Sequence, residues 1–204
     1  MTVRTMGSVL AIGLALAVAA PASAQRPPVE HLRGTVTAVD GSALTLRKLD
    51  GGTATIALPQ KLRVSGLAMS SLASVKKGTY LGTTAVPGPG GLLIAKELHL
   101  FPARMRGVGE GHRPWDLTPG STMTNANVDL IVEQVKGRVL TLSYKGGMQK
   151  VLVPPDAPVV NIVKATRDEL KSGAKVFVVA RKGKDGALTA VRISIGKNGL
   201  MPPM

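Results

Sequence analysis

Three features of the sequence predict an all-β fold in which one small domain occurs twice. The second half repeats the first at an offset of about 95 residues, apolar and polar residues alternate at strand period, and glycine turns interrupt the alternation at short intervals. Residues 36–46 (VTAVDGSALTL) lie over 132–142 (VEQVKGRVLTL), aligning Val36 with Val132, Val39 with Val135, Gly41 with Gly137 and Leu44 with Leu140. One residue is then lost in a hairpin and the register continues: Pro59 meets Pro154, Gly78 meets Gly173, and Gly91 meets Gly186. The repeat is far longer than a solenoid unit, so the pattern is a duplicated domain.

The elements follow in order. Residues 33–39 alternate as a first strand and Asp40-Gly41 is a hairpin signal. Residues 43–49 form a second strand and 53–58 a third, stopped by Pro59, with a short extended piece at 62–64. A short helical signal at 70–77 (SSLASVKK) ends at Gly78, where a left-handed cap is needed. Its counterpart, 166–172 (TRDELKS), has Thr166 and Glu169 at capping-box spacing. Strands at 79–86 and 92–100 complete the first unit. The second runs 128–135, 138–145, 148–153, the helix, 174–181 and 187–195.

Three strands, a helix and two strands is the order of a five-stranded oligonucleotide/oligosaccharide-binding (OB) barrel, with an SH3-like barrel as the near alternative. The expectation is two tandem OB-like five-stranded barrels, each with one short helix between strands 3 and 4. They would occupy 32–100 and 128–196, separated by a Gly/Pro-rich connector at 101–127 and followed by a flexible tail at 197–204. Each unit is close to the size limit of a self-sufficient core, so the barrels are expected to pack on each other with the connector against their junction.

The first 24 residues read as a signal peptide: Arg4, an apolar run at 9–20 and Ala22-Ser23-Ala24 before Gln25. Cleavage after Ala24 predicts a periplasmic chain with a flexible leader at 25–31 and no transmembrane helix in its mature part. Cysteine is absent, which excludes disulfides, thiolate metal sites and thiol catalysis. The formal net charge of +14 points to anionic surroundings, an envelope component or an acidic periplasmic protein.

Nucleic acid is not the expected partner. Single-strand binders stack bases on aromatic rings over the second and third strands. Those strands offer Thr45, Arg47, Thr53 and Thr55 in one unit and Thr141, Ser143, Tyr144 and Gln149 in the other, so Tyr144 alone could stack. Enzyme motifs are missing too: there is no G-x-S-x-G and no H-E-x-x-H. The expected protein is not an enzyme and needs no cofactor.

The connector breaks the duplication and carries the only tryptophan. Loops longer than about 12–15 residues without regular structure are commonly functional or disordered, and Trp and Met favour an ordered one. Arg113, Trp115 and Asp116 are the candidate ligand-binding residues. His99, Met105 and His112 are candidate metal ligands: imidazole with thioether suits copper, and imidazole with carboxylate suits zinc or nickel. The competing reading makes Trp115 a plug between the barrels, held by hydrogen bonds from His112, Arg113 and Asp116.

With its connector RGVGEGHRPWDLTPGSTMTNANV (106–128) and tail GKNGLMPPM (196–204), the chain resembles an uncharacterised group of exported bacterial proteins with two tandem OB-like domains of unknown function. That resemblance implies no catalytic or ligand residues. The expected function is a non-enzymatic periplasmic binding or accessory protein whose basic surface takes an anionic or protein partner. The alternative is a periplasmic copper- or zinc-binding protein, accessory to metal transport, that uses the connector.

Overall fold

The computed structural model describes residues 29–135 and 137–204; the expected signal peptide and residues 25–28 of the expected leader lie outside the described residues. The protein is mainly β. The first half contributes β1 (Val29–Val39), β2 (Ala43–Lys48), β3 (Thr53–Ala57), β4 (Arg63–Met69), β5 (Tyr80–Pro87) and β6 (Leu93–Leu100). The connector adds β7 (Gly111–Pro114). The second half contributes β8 (Thr122–Gln134), β9 (Gly137–Tyr144), β10 (Gly147–Val153), β11 (Val159–Lys164), β12 (Lys175–Lys182) and β13 (Leu188–Gly196). Among the described residues no helix is long and apolar enough to cross a membrane.

The two expected self-contained barrels are not what forms. All 13 strands belong to one sheet, in the order β10-β9-β8-β5-β6-β11-β4-β13-β12-β1-β2-β3, with β7 on β8. The sheet curls back at both ends, where β10 pairs with β6 and β3 with β13. Each end is a circuit of five strands, three from one repeat and two from the other. Thus β1-β2-β3 close on β12-β13, while β8-β9-β10 close on β5-β6. Repeated apolar patterns make β5-β6 and β12-β13 interchangeable partners. The exchange is set by β4 and β11, each a full strand that carries the chain roughly 20 Å outward at about 3.3 Å per residue instead of turning home. They pair antiparallel, with Leu67 opposite Ile162. These two are equivalent in the repeat, so an approximate two-fold axis passes between them.

Burial follows the exchange. One core joins Val36, Leu44, Leu46 and Ile56 to Val176, Val178 and Ile193. The other joins Leu81, Leu98 and Ala85 to Val128, Leu140, Leu142 and Val151. A third cluster, Leu67, Val160, Phe177, Val179 and Met204, lies along the bridge. Burying apolar surface drawn from both repeats makes each half depend on the other.

Four further expectations are corrected. The helical signals form only single 3-10 turns, Leu72–Ser74 and Arg167–Glu169, because so few residues cannot offset the cost of helix nucleation. The predicted stops hold, since Gly78 and Gly173 both take positive φ, 82° and 85°. The alignment of the first strands shifts: Val36 and Val128 stand opposite the equivalent Leu46 and Leu142. Four extra residues therefore sit in the β8-β9 hairpin, and Val135, matched to Val39 by sequence, is fully exposed. Finally, neither end of the described chain is loose. β1 begins at Val29 and contains His31, and the tail docks on the bridge, where Met204 is buried and its carbonyl accepts from Arg33 Nε at 2.7 Å.

Candidate functional site

The connector crosses the bridge between the two circuits, and its sequence explains its order. Gly107, Gly109 and Gly111 turn it at positive φ. Residues 111–114 then extend along β8, pairing His112 with Thr124 and Arg113 with Met123. The Val108 carbonyl accepts from Tyr80 Oη at 3.1 Å and from Asn125 Nδ2 at 3.2 Å. Burial, with Glu110 nearby, pushes the Tyr80 hydroxyl up to about 12, so it stays a donor at any ordinary pH. Trp115 packs on the bridge cluster, near Phe177 at 6.3 Å and His31 at 4.3 Å between ring centroids.

A cavity of about 310 Å³ lies under this crossing. One wall is the bridge and β13, the other is β6, β8 and the connector. Arg63 and Arg192 stand side by side on neighbouring strands, and so do Ser65 and Ser194, whose hydroxyls are 3.2 Å apart. Arg113 faces them from the connector, its guanidinium 5.7 Å from the Trp115 ring. Arg104 and Lys164 complete five cations in the lining, which contains no carboxylate. None of the five has an ion-pair partner among the described residues. Burial, and secondarily the charge of Arg113, lowers the pKa of Arg192; burial also lowers that of Arg113. Like charges gathered in a partly dry cleft repel one another.

On the opposite wall Glu97 is completely buried and His99 is 5% exposed. His99 Nδ1 lies 3.1 Å from Glu97 Oε2, and Glu97 Oε1 accepts the Thr84 backbone N–H at 2.8 Å. That N–H is freed by a bulge between Thr84 and Ala85. The carboxylate holds the ring through Nδ1 and leaves Nε2 turned toward Gly82. The ring fits because residue 82 is glycine: a Cβ there would lie 2.0 Å from His99 Nε2 and 2.5 Å from Asn125 Oδ1.

The candidate residues separate cleanly. Arg113 and Trp115 line the cavity. Asp116 lies outside it, accepting from Arg33 Nη2 at 2.9 Å and bonding His31 Nδ1 at 3.0 Å, and so anchors the connector. His99 and Met105 line the cavity together with Met123, but His112 does not join them. Cross-strand partners share a sheet face, and the row His99-Gly82-Asn125 alternates with the row Leu98-Thr83-Thr124-His112. His112 therefore points to the other side, where it bonds Thr124 Oγ1 at 2.8 Å and stacks on Tyr144. Burial lowers its pKa, helped by Arg113.

Sequence reasoning missed Arg63, Arg192, Ser65, Ser194, Asn125 and Glu97. The one available signal was Glu97 beside His99 in a strand otherwise suited to burial, two titratable groups two residues apart on one face. The cations come from strands far apart in sequence, joined only by the exchange of halves. Comparison with protein-family models, with curated proteins and with solved structures finds no significant match to this chain.

Proposed function

We propose that this chain is an exported, non-enzymatic binding protein that holds a small anion in the cavity beneath the connector. One observation carries the reading: five cationic side chains converge on a lining with no carboxylate. Arg63, Arg192 and Arg113 form a cluster with apolar neighbours, where charge-assisted hydrogen bonds to an anion are stronger than in water. The expected basic surface thus narrows to a cleft of ligand size.

The test is calorimetric titration of the mature chain with phosphate, sulfate and small carboxylates at low and moderate salt. Micromolar to millimolar binding is expected, weakened about tenfold or more in Arg192→Gln and Arg113→Gln. No binding of any anion would overturn the reading. Export is tested separately: the mass of the periplasmic protein should correspond to a chain beginning at Gln25.

A second reading keeps one observation. His99, Met105 and Met123 line the same cavity, and an imidazole backed by a carboxylate is the arrangement that orients a metal ligand. Copper(I) is the ion that such a set would take, against the repulsion of the five cations. Titration with Cu(I) and Zn(II), compared with Met105→Leu, distinguishes the two readings.

A further inference from the structure

Beside its cations the cavity holds side chains of opposite hydrogen-bonding character, on β6 and β8. Three buried side-chain polar atoms lack a partner among the described residues, and two of them, Asn125 Oδ1 and Trp115 Nε1, belong to residues lining this cavity. Asn125 is 5% exposed, and its amide is oriented because Nδ2 donates to the Val108 carbonyl. Its Oδ1 is therefore a fixed acceptor. In the tautomer whose Nδ1–H meets Glu97, His99 Nε2 is a second acceptor. Both atoms crowd the space above Gly82, so the two acceptors stand side by side. A buried acceptor without a donor is costly, and Asn125 Oδ1 is one.

A carboxylate or a fully ionised phosphate brings acceptors only. It satisfies Arg63, Arg192, Arg113 and the Trp115 N–H but leaves Asn125 Oδ1 and His99 Nε2 unanswered. The missing chemistry is O–H. We infer that the ligand is a hydroxylated anion of monosaccharide size, an acidic sugar such as a uronate or a sugar phosphate, which deepens the anion-binding reading and rests on it. Its hydroxyls donate to Asn125 Oδ1 and His99 Nε2 and accept from Trp115 Nε1–H, while its anionic group meets the arginines. A cavity of about 310 Å³ admits one such ring and not a chain of them.

The experiment titrates the mature chain with glucuronate, glucose 6-phosphate, glucose, cyclohexanecarboxylate and inorganic phosphate. Glucuronate or glucose 6-phosphate should bind at least about tenfold more tightly than both glucose, which lacks the anion, and cyclohexanecarboxylate, which lacks the hydroxyls. Which of the two binds identifies the anionic group. In Asn125→Ala the preference over cyclohexanecarboxylate should shrink several-fold. Because the native chain gives the first comparison, a variant that fails to fold does not blunt the test. Equal binding of glucuronate and cyclohexanecarboxylate overturns the inference and leaves the anion-binding reading standing. Absence of binding to all five probes overturns both.

Discussion

The approximate two-fold axis sets two patches of the same sheet against each other, and they carry opposite chemistry. On one circuit the cross-strand rows read His99-Gly82-Asn125 and Glu97-Thr84-Met123. On the other, the equivalent rows read Ser194-Phe177-Arg33 and Arg192-Val179-His31. The backbones match down to a bulge in β6 and its counterpart in β13. Where the second patch has the ring of Phe177, the first has a glycine, and His99 lies over it. Glu97 in one row has Arg192 as its counterpart in the other. The duplicated scaffold thus supplies two faces to one cavity, one with Arg192 and Ser194 beside the connector's anchor at Phe177, the other with His99 and Asn125.

The sharpest way to break the comparison is to remove the anchor. Phe177 is 1% exposed and touches Trp115, His31 and the Arg33 guanidinium, 5.0 Å from its ring centre. Phe177→Ala should cost about 3–5 kcal/mol and lower Tm by roughly 10 °C or more, followed by thermal denaturation. A loss under about 1 kcal/mol would mean that the patch is not an anchor. Gly82→Ala attacks the other face. The added Cβ meets His99 Nε2 and Asn125 Oδ1, and a cost of about 1–3 kcal/mol is expected from overpacking. Combining it with His99→Ala should recover part of that loss, because both changes act on one space.

Acidification separates the patches next. Burial outweighs Asp116 and lowers the pKa of His31 below its ordinary 6.5, whereas its counterpart is Met123, which does not titrate. Above about pH 6.5 His31 is neutral in folded and unfolded chains and contributes nothing to the pH dependence. As pH falls through that value the unfolded chain takes up a proton that the folded one resists, so stability declines. His112, also lowered, acts with the same sign. His31→Met, which copies the other patch, should flatten the decline of Tm between pH 7 and 5. An unchanged slope would assign the decline to other groups.

The sequence made the strands legible and left their partners hidden, for a physical reason. Period-two alternation and turn glycines report local conformation, and they located most of the strands. Duplication makes two sets of edges equally acceptable, so nothing in Leu81, Leu98, Val178 or Ile193 says which repeat each will cover. The strand β11 went unread because its run, VVNIVK, follows three prolines, Pro154, Pro155 and Pro158, and lacks strict period-two alternation. At the site, Arg113 and Trp115 were legible because they lie in the segment that breaks the repeat. Arg63 and Arg192 were not, since each alone resembles a solvated strand residue and only the exchange sets them side by side. His112 was misplaced because nearness in sequence does not tell which face of a strand a residue takes.

The smallest expected effect sharpens the comparison at the two 3-10 turns. In the second repeat Glu169 Oε1 accepts the Thr166 backbone N–H at 3.0 Å, the reach-back half of a capping box, and its other oxygen pairs with Lys197 Nζ. Hydrogen bonds from Lys197 and from Thr166 hold the Glu169 pKa below the ordinary carboxylate range. The equivalent positions in the first repeat are Ser71 and Ser74, and Ser71 has no side-chain cap. Ser74→Glu installs the missing acceptor opposite the Ser71 N–H, in a turn already stopped by Gly78. The gain should be modest, a Tm rise of about 1–2 °C, because one exposed turn gives little net stabilisation from a single hydrogen bond. It should shrink near pH 3, where the new carboxylate is protonated and loses its charge, while the gain from Ser74→Gln should not change with pH. A rise of equal size for Ser74→Ala would attribute the effect to propensity and leave the two turns equivalent without the acceptor.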